Sequence, residues 1–122
     1  MKIGLCTGCF DLFHEGHRYF LQECLKQCTH LIVAVNSDES VRRLKGKERP
    51  KEPLAARMLA VRGFAQAVIP FDGHHRALTL AIEPDVILRG YDQDSSEVSH
   101  FIPMVRINRG PDVSTTSRVK NA

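Results

Sequence analysis

Residues 8 to 17 read Gly8-Cys9-Phe10-Asp11-Leu12-Phe13-His14-Glu15-Gly16-His17, and they mark the place where a strand gives way to a helix. The apolar run from Ile3 to Thr7 has the length of a strand and ends at a glycine, which predicts a buried first strand. Beyond the quoted stretch, apolar residues recur at helical spacing, at Phe20, Leu21, Cys24, Leu25 and Cys28. This spacing predicts a helix from His17 to Cys28, so the stretch itself is a strand-to-helix turn.

The turn carries two histidines, His14 and His17, three residues apart. In an open parallel sheet, ligands bind outside the carboxyl ends of the strands, and a helix that begins there directs free N–H groups at anions. The spacing puts both imidazoles on one face of the first helical turn, and Gly16 removes a side chain where a phosphate has to approach. The pattern indicates a phosphate site. On these residues alone, a hydrogen-bonded histidine pair or half of a metal site is an equal alternative.

Strands and helices are predicted to alternate along the rest of the chain. They comprise a strand at Leu31 to Val35, a helix at Leu54 to Phe64, a strand at Ala67 to Pro70, a helix at Ala77 to Ile82, strands at Val86 to Arg89 and Met104 to Ile107, and a C-terminal helix. Such alternation indicates a parallel sheet with helices on both faces. The predicted fold class is α/β, a Rossmann-like three-layer α/β/α sandwich with a five-stranded parallel sheet. No GxGxxG pattern follows the first strand, so the grip on phosphate must come from histidines and helix ends.

Length and composition fit one domain spanning residues 1–122. The chain has 122 residues, of which 43% are hydrophobic, and it shows no linker, repeat or low-complexity stretch. This is enough apolar material for one core but not for two. Polar residues interrupt every apolar run before it reaches the length of a signal peptide or a membrane span. We therefore expect a cytoplasmic protein without a membrane partner.

The four cysteines raise the alternative of a zinc or redox protein. Cys6 and Cys9 have CxxC spacing, and Cys24 with Cys28 could supply the other half of a metal site. Against this, Cys6 belongs to the predicted buried strand. Cys24 and Cys28 lie on the apolar stripe of the first helix, where a thiol acts as a small hydrophobic group. We therefore predict no metal site.

The net charge of +3 is modest, and its basic residues concentrate in one segment. They are Arg42, Arg43, Lys45, Lys47, Arg49 and Lys51. Because no aromatic residues are interleaved with them, a nucleic-acid partner is not expected. The cluster suits a mobile loop that closes over a polyphosphate. Only Lys45 is assigned to phosphate, and the others are interpreted as a solvated basic surface.

Four segments resemble, in the same order, those of the cytidylyltransferase-like nucleotidyltransferases. These enzymes transfer a nucleotide from an NTP to a phosphorylated acceptor. The quoted turn resembles the HxGH signature of the family, and residues 36–46 resemble the segment after its second strand. Arg89-Gly90-Tyr91-Asp92 stands where the family binds the base and ribose. Val113-Ser114-Thr115-Thr116 resembles its ISTT-type motif, which holds the triphosphate; an ordinary helix N-cap is the alternative for these hydroxyls.

The resemblance implies a role for each matching residue. His14 and His17 bind phosphates and stabilise the pentacoordinate phosphorus, and Lys45 adds positive charge at the same centre. Nucleotide binding falls to Gly8, Cys9, Phe10, Gly16, Arg89, Gly90, Asp92, Ser114, Thr115 and Thr116. The acceptor side falls to Asp11, Asp38 and Arg57, where Arg57 is expected to clamp phosphate and Asp11 to order either the turn or the acceptor.

The implied reaction is an in-line attack by an acceptor phosphate oxygen on the α-phosphorus of ATP or CTP, with pyrophosphate leaving. Positioning and preorganised donors supply most of the acceleration in such transfers. Mg²⁺ is expected to arrive with the nucleotide, because the sequence offers no dedicated cage of carboxylates. Related enzymes are commonly dimeric, so a homodimer is expected.

The resemblances conflict on the acceptor. The GCFD wording and residues 35–50 resemble the adenylyltransferase that acts on heptose 1-phosphate. Arg109, together with the motif at residues 113–116, has the spacing found in glycerol-3-phosphate cytidylyltransferase, and residues 90–93 resemble archaeal FAD synthases. A sugar phosphate is the first expectation, with a polyol phosphate or FMN as alternatives. The alternative outside enzymes is a module that binds a nucleotide without turnover.

Overall fold

The described chain, taken from a computed structural model, consists of strands and helices in alternation. The structure describes residues 1–90, residue 93 and residues 102–108. The strands are β1 (Ile3–Gly8), β2 (His30–Asn36), β3 (Ala67–Phe71), β4 (Val86–Gly90) and β5 (Met104–Ile107). The helices are α1 (Glu15–Leu25), α2 (Asp38–Lys45), α3 (Leu54–Val61) and α4 (His75–Ile82), and a short 3₁₀ turn, Arg62–Phe64, follows α3.

The five described strands form one parallel sheet in the order β3-β2-β1-β4-β5. β1 is central, and Cys6 pairs with Val33 of β2 on one side and with Leu88 of β4 on the other. The chain builds the sheet outward from β1 to β3 and then returns to place β4 on the opposite side of β1. The predicted fold class is confirmed. The reversal beside β1 creates the crevice in which open α/β sheets bind ligands.

Alternate residues of the central strands supply the two faces of the sheet. On one face, Leu31 and Val33 of β2 pack with Leu21 of α1 and Val61 of α3. On the other face, a smaller cluster of Leu5, Ala34 and Phe71 packs against Leu78 of α4. Buried strands covered on both faces have nearly continuous apolar sequences, as β1, β2 and β4 do here. The helices therefore form the outer layers of the sandwich.

The four described helices differ from the sequence-based expectation. α3 ends at Val61 rather than Phe64, and α4 begins at His75 rather than Ala77. α1 begins at Glu15, two residues earlier than predicted, because the His14 side chain caps it, and it ends at Leu25, so Cys28 lies beyond it. α2 occupies a segment that was expected to be a mobile loop. Ser37 caps its first turn by accepting a hydrogen bond from the backbone N–H of Ser40. The predicted C-terminal helix lies outside the described residues.

The cysteines of the central layer act as packing groups. Cys6 and Cys24 are buried in the main core, and their hydrogen bond together with burial raises the pKa of the Cys24 thiol. Cys28 packs against the sheet where Gly4 leaves room for it. A Cβ at Gly4 would lie 2.8 Å from the Cys28 Sγ. No helix in the described part of the chain is long and apolar enough to cross a membrane.

Arg57 of α3 is fully buried, and its guanidinium ties three parts of the fold together. Nη1 donates to the carbonyls of Cys9 and Asn36, where the chain leaves β1 and β2, at 2.8 and 2.7 Å. Nε donates to the carbonyl of Glu52, and Nη2 forms an ion pair with Asp38. Arg57 was predicted to clamp a phosphate, and the structure corrects this, because its hydrogen bonds are to protein groups and its side chain is inaccessible.

Replacing Arg57 with Met should lower the free energy of unfolding by about 3–5 kcal/mol, because buried carbonyls and a carboxylate lose their shared donor. Urea unfolding measures this change. Arg62→Met is the matched control. Arg62 is exposed on the neighbouring 3₁₀ turn, so the same substitution there should change stability by less than about 0.5 kcal/mol. Equal effects at the two positions would show that Arg57 does not hold the fold together.

Candidate active site

A cleft of about 900 Å³ opens at the carboxyl end of the sheet. Every described strand contributes to its lining, either from its end or from the residue that follows: Thr7, Gly8, Asn36, Asp72, Arg89, Gly90, Ile107 and Asn108. The turn between β1 and α1 adds Cys9, Phe10, Asp11, His14, Gly16 and His17. The cleft therefore lies at the crevice beside β1, where the fold favours a ligand site.

The two histidines of the turn cap α1 through the same ring nitrogen. Nδ1 of His14 accepts the backbone N–H of Gly16 at 3.0 Å, and Nδ1 of His17 accepts the backbone N–H of His14 at 3.1 Å. The rings stack with centroids 3.9 Å apart. A neutral imidazole that accepts at Nδ1 carries its proton on Nε2. Each ring therefore keeps one N–H donor, at Nε2, for a ligand in the cleft.

His17 is held in its neutral form. Phe10 meets its ring edge-to-face at 5.6 Å, and Phe13 lies 5.4 Å away. Burial lowers the pKa of His17 to about 3, and the nearby charges of His14 and Lys45 act in the same direction. At neutral pH, His17 is a hydrogen-bond donor without a net charge.

Lys45 supplies the positive charge beside this pair. It is exposed at the last residue of α2 and lines the cleft. Its charge also acts on Cys9, where burial raises the thiol pKa while Lys45 and Arg57 oppose that rise. The structure thus brings Lys45, His14 and His17 to one place, as the sequence predicted. Cys9 lines the same place as a protonated thiol.

Gly8 and Phe10 shape the floor of the cleft. Phe10 adopts a left-handed conformation, with φ of 52°, and its ring folds back over Gly8. A Cβ at Gly8 would lie 2.7 Å from the Phe10 ring, so any other residue there would displace that ring. The two residues were predicted to bind a nucleotide, and both line the cleft. Their mutual packing also places the histidine turn over the end of β1.

Asp11 anchors the loop between α2 and α3 to the turn. Its carboxylate accepts hydrogen bonds from the backbone N–H groups of Lys51 and Glu52 and from Nε of Arg49, at 2.8 to 3.0 Å. Burial acts to raise the pKa of Asp11, but these hydrogen bonds outweigh it and hold the pKa below its usual value. Of its two expected roles, ordering the turn is the one that these contacts describe.

The Asp38 side chain contacts Arg57 rather than the cleft. Its carboxylate pairs with the buried guanidinium, and it is absent from the residues that line the cleft. Its predicted contact with the acceptor is therefore replaced by a structural one. Asn36 and Ser40, which the sequence did not single out, line the cleft instead, and the Ser40 hydroxyl donates to the Asn36 side chain at 2.7 Å.

The ends of β1 and β4 are joined by a side chain that the sequence-based assignments omitted. Gln93 donates from Nε2 to the carbonyl of Thr7 at 2.9 Å, and its Oε1 accepts the backbone N–H of Gly90. Arg89 donates to the Thr7 hydroxyl at 3.1 Å. Arg89 and Gly90, predicted for nucleotide binding, thus line the cleft beside Gln93. The predicted residues Asp92, Ser114, Thr115 and Thr116, together with Arg109, lie outside the described residues.

The donor set of the cleft offers little to a resident metal ion. Its acidic lining residues in the described part are Asp11 and Asp72, and both carboxylate oxygens of Asp11 already accept hydrogen bonds from the protein. Residues 1–90, 93 and 102–108 contain no group of three or more His, Cys, Asp or Glu side chains that could hold a metal ion. These residues fit an Mg²⁺ held by nucleotide phosphates and water rather than by a protein cage.

Comparisons with known proteins agree on one family. A family model described as cytidylyltransferase-like matches residues 5–118. The bifunctional protein HldE of Shewanella piezotolerans is 40% identical over 102 residues, which cover 80% of this chain and 21% of that protein. HldE of Acidiphilium cryptum is 43% identical over 94 residues, covering 75% and 19%. The chain thus spans about a fifth of the length of these curated relatives.

Solved structures show the same fold. The lipopolysaccharide core biosynthesis protein from Thermoplasma volcanium superposes with a TM-score of 0.77 at 28% identity, covering 90% of this chain and 98% of that one. Pantothenate synthetase from Thermus thermophilus superposes with a TM-score of 0.61 at 11% identity, covering 88% and 56%. The second likeness shows the fold alone.

Two substitutions of His17 should separate its roles. Asn can accept at the position of Nδ1 but lacks the outward donor, so His17→Asn should lower turnover about a hundredfold. Gln can donate near the position of Nε2 but loses the cap, so His17→Gln should keep more activity and lose about 1 kcal/mol of stability. Steady-state rates and urea unfolding check both. Equal turnover in the two variants would exclude a role for the Nε2 donor.

Acid should destabilise the fold through His17. Its pKa falls from 6.5 to about 3 on folding, so between these values the unfolded chain binds a proton that the folded chain does not. The free energy of unfolding should therefore decrease as pH falls from 6.5 toward 3. His17→Asn removes this contribution, so its stability should change less over the same range. Parallel pH profiles for the variant and the wild type would contradict the burial of a neutral imidazole.

Proposed function

The chain belongs to the cytidylyltransferase-like family and is a nucleotidyltransferase, and from that premise we propose that it adenylylates or cytidylylates a sugar phosphate with release of pyrophosphate. The adenylyltransferase reaction on heptose 1-phosphate is the first choice. The observation that carries the proposal is the pair of imidazoles that cap α1. Each keeps one N–H donor at Nε2, and both rings line the same cleft as Lys45.

The geometry suits the stabilisation of a phosphoryl centre. An acceptor phosphate oxygen attacks the α-phosphorus of the nucleotide, a new P–O bond forms, and the bond to the β-phosphate oxygen breaks as pyrophosphate leaves. Charge spreads over the equatorial oxygens in this step. Two fixed N–H donors on His14 and His17 and the ammonium of Lys45 can stabilise that charge without reorganisation. No protein nucleophile is needed.

The lining of the cleft offers two kinds of surface to the substrates. Tyr19, Phe20 and Ile107 provide apolar surfaces, which suit a nucleobase. Asn36, at the end of β2, and Ser40, in α2, provide hydrogen-bonding side chains. Such side chains match the hydroxyl groups of a sugar acceptor.

The similar proteins support a sugar acceptor. The structural neighbour from Thermoplasma volcanium is named for lipopolysaccharide core biosynthesis, and that core is built from sugars. The segments that resemble the adenylyltransferase acting on heptose 1-phosphate lie within the region that the family model matches. When bound, Mg²⁺ would neutralise charge on the nucleotide phosphates. A homodimer and a cytoplasmic location remain part of the proposal.

Pyrophosphate release tests the proposed reaction. ATP and CTP should each be incubated with heptose 1-phosphate, glycerol 3-phosphate or FMN in the presence of Mg²⁺. We expect release with ATP and heptose 1-phosphate. Release should fall about a hundredfold in His17→Asn and stay unchanged in Lys47→Gln, whose exposed side chain does not line the cleft.

Other outcomes of this assay would overturn the proposal in distinct ways. Release only with glycerol 3-phosphate would move the acceptor to polyol phosphates, and release only with FMN would replace the sugar by a flavin. Nucleotide binding without release from any pair would identify a binding module rather than an enzyme for these acceptors.

A further inference from the structure

Arg49 lines the cleft, although the sequence analysis assigned it no ligand. It lies in the loop between α2 and α3 and leaves 33% of its side chain exposed. Its Nε donates to Oδ2 of Asp11 at 2.8 Å. The sequence analysis had grouped Arg49 with a solvated basic surface. In the structure, its Nε is bound to Asp11, and part of its side chain stays exposed in the cleft.

The anchor of Arg49 is a fixed carboxylate. The Asp11 side chain is only 2% exposed and also accepts the backbone N–H groups of Lys51 and Glu52. The same turn is tied again by Glu52, whose carboxylate accepts the backbone N–H of Leu12 at 2.9 Å. Because hydrogen bonds run from the loop to Asp11 and from the turn to Glu52, Arg49 is held in position before any ligand binds.

The terminal nitrogens of Arg49 make no hydrogen bond to the described residues, since its one hydrogen bond there uses Nε. Two other arginines near the cleft have their terminal nitrogens engaged. Arg57 is buried among carbonyls, and Arg43 donates to the carbonyl of Asp72 and pairs with Glu39. A guanidinium held at Nε presents two parallel N–H donors, which is the geometry that binds two oxygens of one phosphate.

The sheet topology indicates which substrate phosphate Arg49 can reach. Arg49 belongs to the loop that connects α2 and α3, and both helices pack beside β2. Arg89, Gly90 and Gln93 lie on the opposite side of β1, at the end of β4. The histidine pair follows β1 between these two halves. We propose that Arg49 binds the phosphate of the acceptor, with Asp11 as its positioning residue; this inference rests on the proposed function.

Kinetics of three variants test the assignment. Arg49→Gln should raise the KM for the acceptor about tenfold to a hundredfold and leave the KM for the nucleotide within about twofold, because one bidentate phosphate contact is lost. Arg49→Lys keeps the charge but lacks the two parallel N–H donors of a guanidinium, so it should give an intermediate KM for the acceptor. Lys47→Gln removes one charge from the same loop outside the cleft and should behave as wild type.

Three kinetic results would overturn the inference. A rise confined to the KM for the nucleotide would assign Arg49 to the nucleotide phosphates. Full activity in Arg49→Lys would show that the two parallel N–H donors of the guanidinium are not needed. Equal losses in Arg49→Gln and Lys47→Gln would reduce the effect to the overall charge of the loop. Thermal unfolding of each variant identifies any loss that comes from misfolding.

Binding of inorganic phosphate separates this inference from the proposed reaction. Titration calorimetry of the unliganded protein at low ionic strength should show weaker phosphate binding in Arg49→Gln than in wild type and Lys47→Gln. That result without pyrophosphate release from any pair would keep the phosphate site and reject the proposed reaction. Pyrophosphate release with an unchanged acceptor KM and unchanged phosphate binding would keep the reaction and reject Arg49.

Discussion

The hydrogen bonds of one buried guanidinium hold the site together. A parallel strand that ends at the edge of a sheet leaves backbone carbonyls without ladder partners, and burying them unpaired is costly. Arg57 satisfies two of them, at Cys9 and Asn36, and so fixes the exit of β1 relative to the exit of β2. Its charge is offset by Asp38 at the first residue of α2. The histidine turn and the lysine-bearing helix therefore share one anchor.

Asp11 repeats the same arrangement with the charges reversed. There a buried carboxylate collects two backbone N–H groups and one arginine, and it fixes the loop before α3 against the histidine turn. Buried ionic groups are tolerated when their hydrogen-bonding capacity is filled, and both residues meet that condition. The two networks meet at Glu52, whose carbonyl binds Arg57 and whose backbone N–H binds Asp11. The cleft is thus preorganised by one buried guanidinium and one buried carboxylate, whose hydrogen bonds are to groups of the protein.

Sequence periodicity was sufficient for the sheet, because strands buried on both faces show it directly in their apolar runs. It was insufficient for α2, because Val41 is the one buried apolar residue of that helix. The many charged residues around Val41 are typical of a loop. The start of α1 was missed because histidine is not among the usual capping residues. Arg57 was assigned to phosphate for a related reason. Burial of an arginine depends on partners such as Asn36, 21 residues away, and local spacing carries no trace of them.

The neutrality of His17 follows from the way the histidine pair is built. Nδ1 of His17 is occupied by the backbone N–H of His14, so protonating this nitrogen would break a cap as well as bury a charge beside Lys45. Lys45 can then act as a cation of the cluster, while His17 acts as a neutral donor. An incoming phosphate would favour the charged form of His17, and the burial of the ring opposes that effect. A fixed neutral donor such as His17 needs no proton uptake before the transfer, so it can stabilise charge as soon as that charge develops.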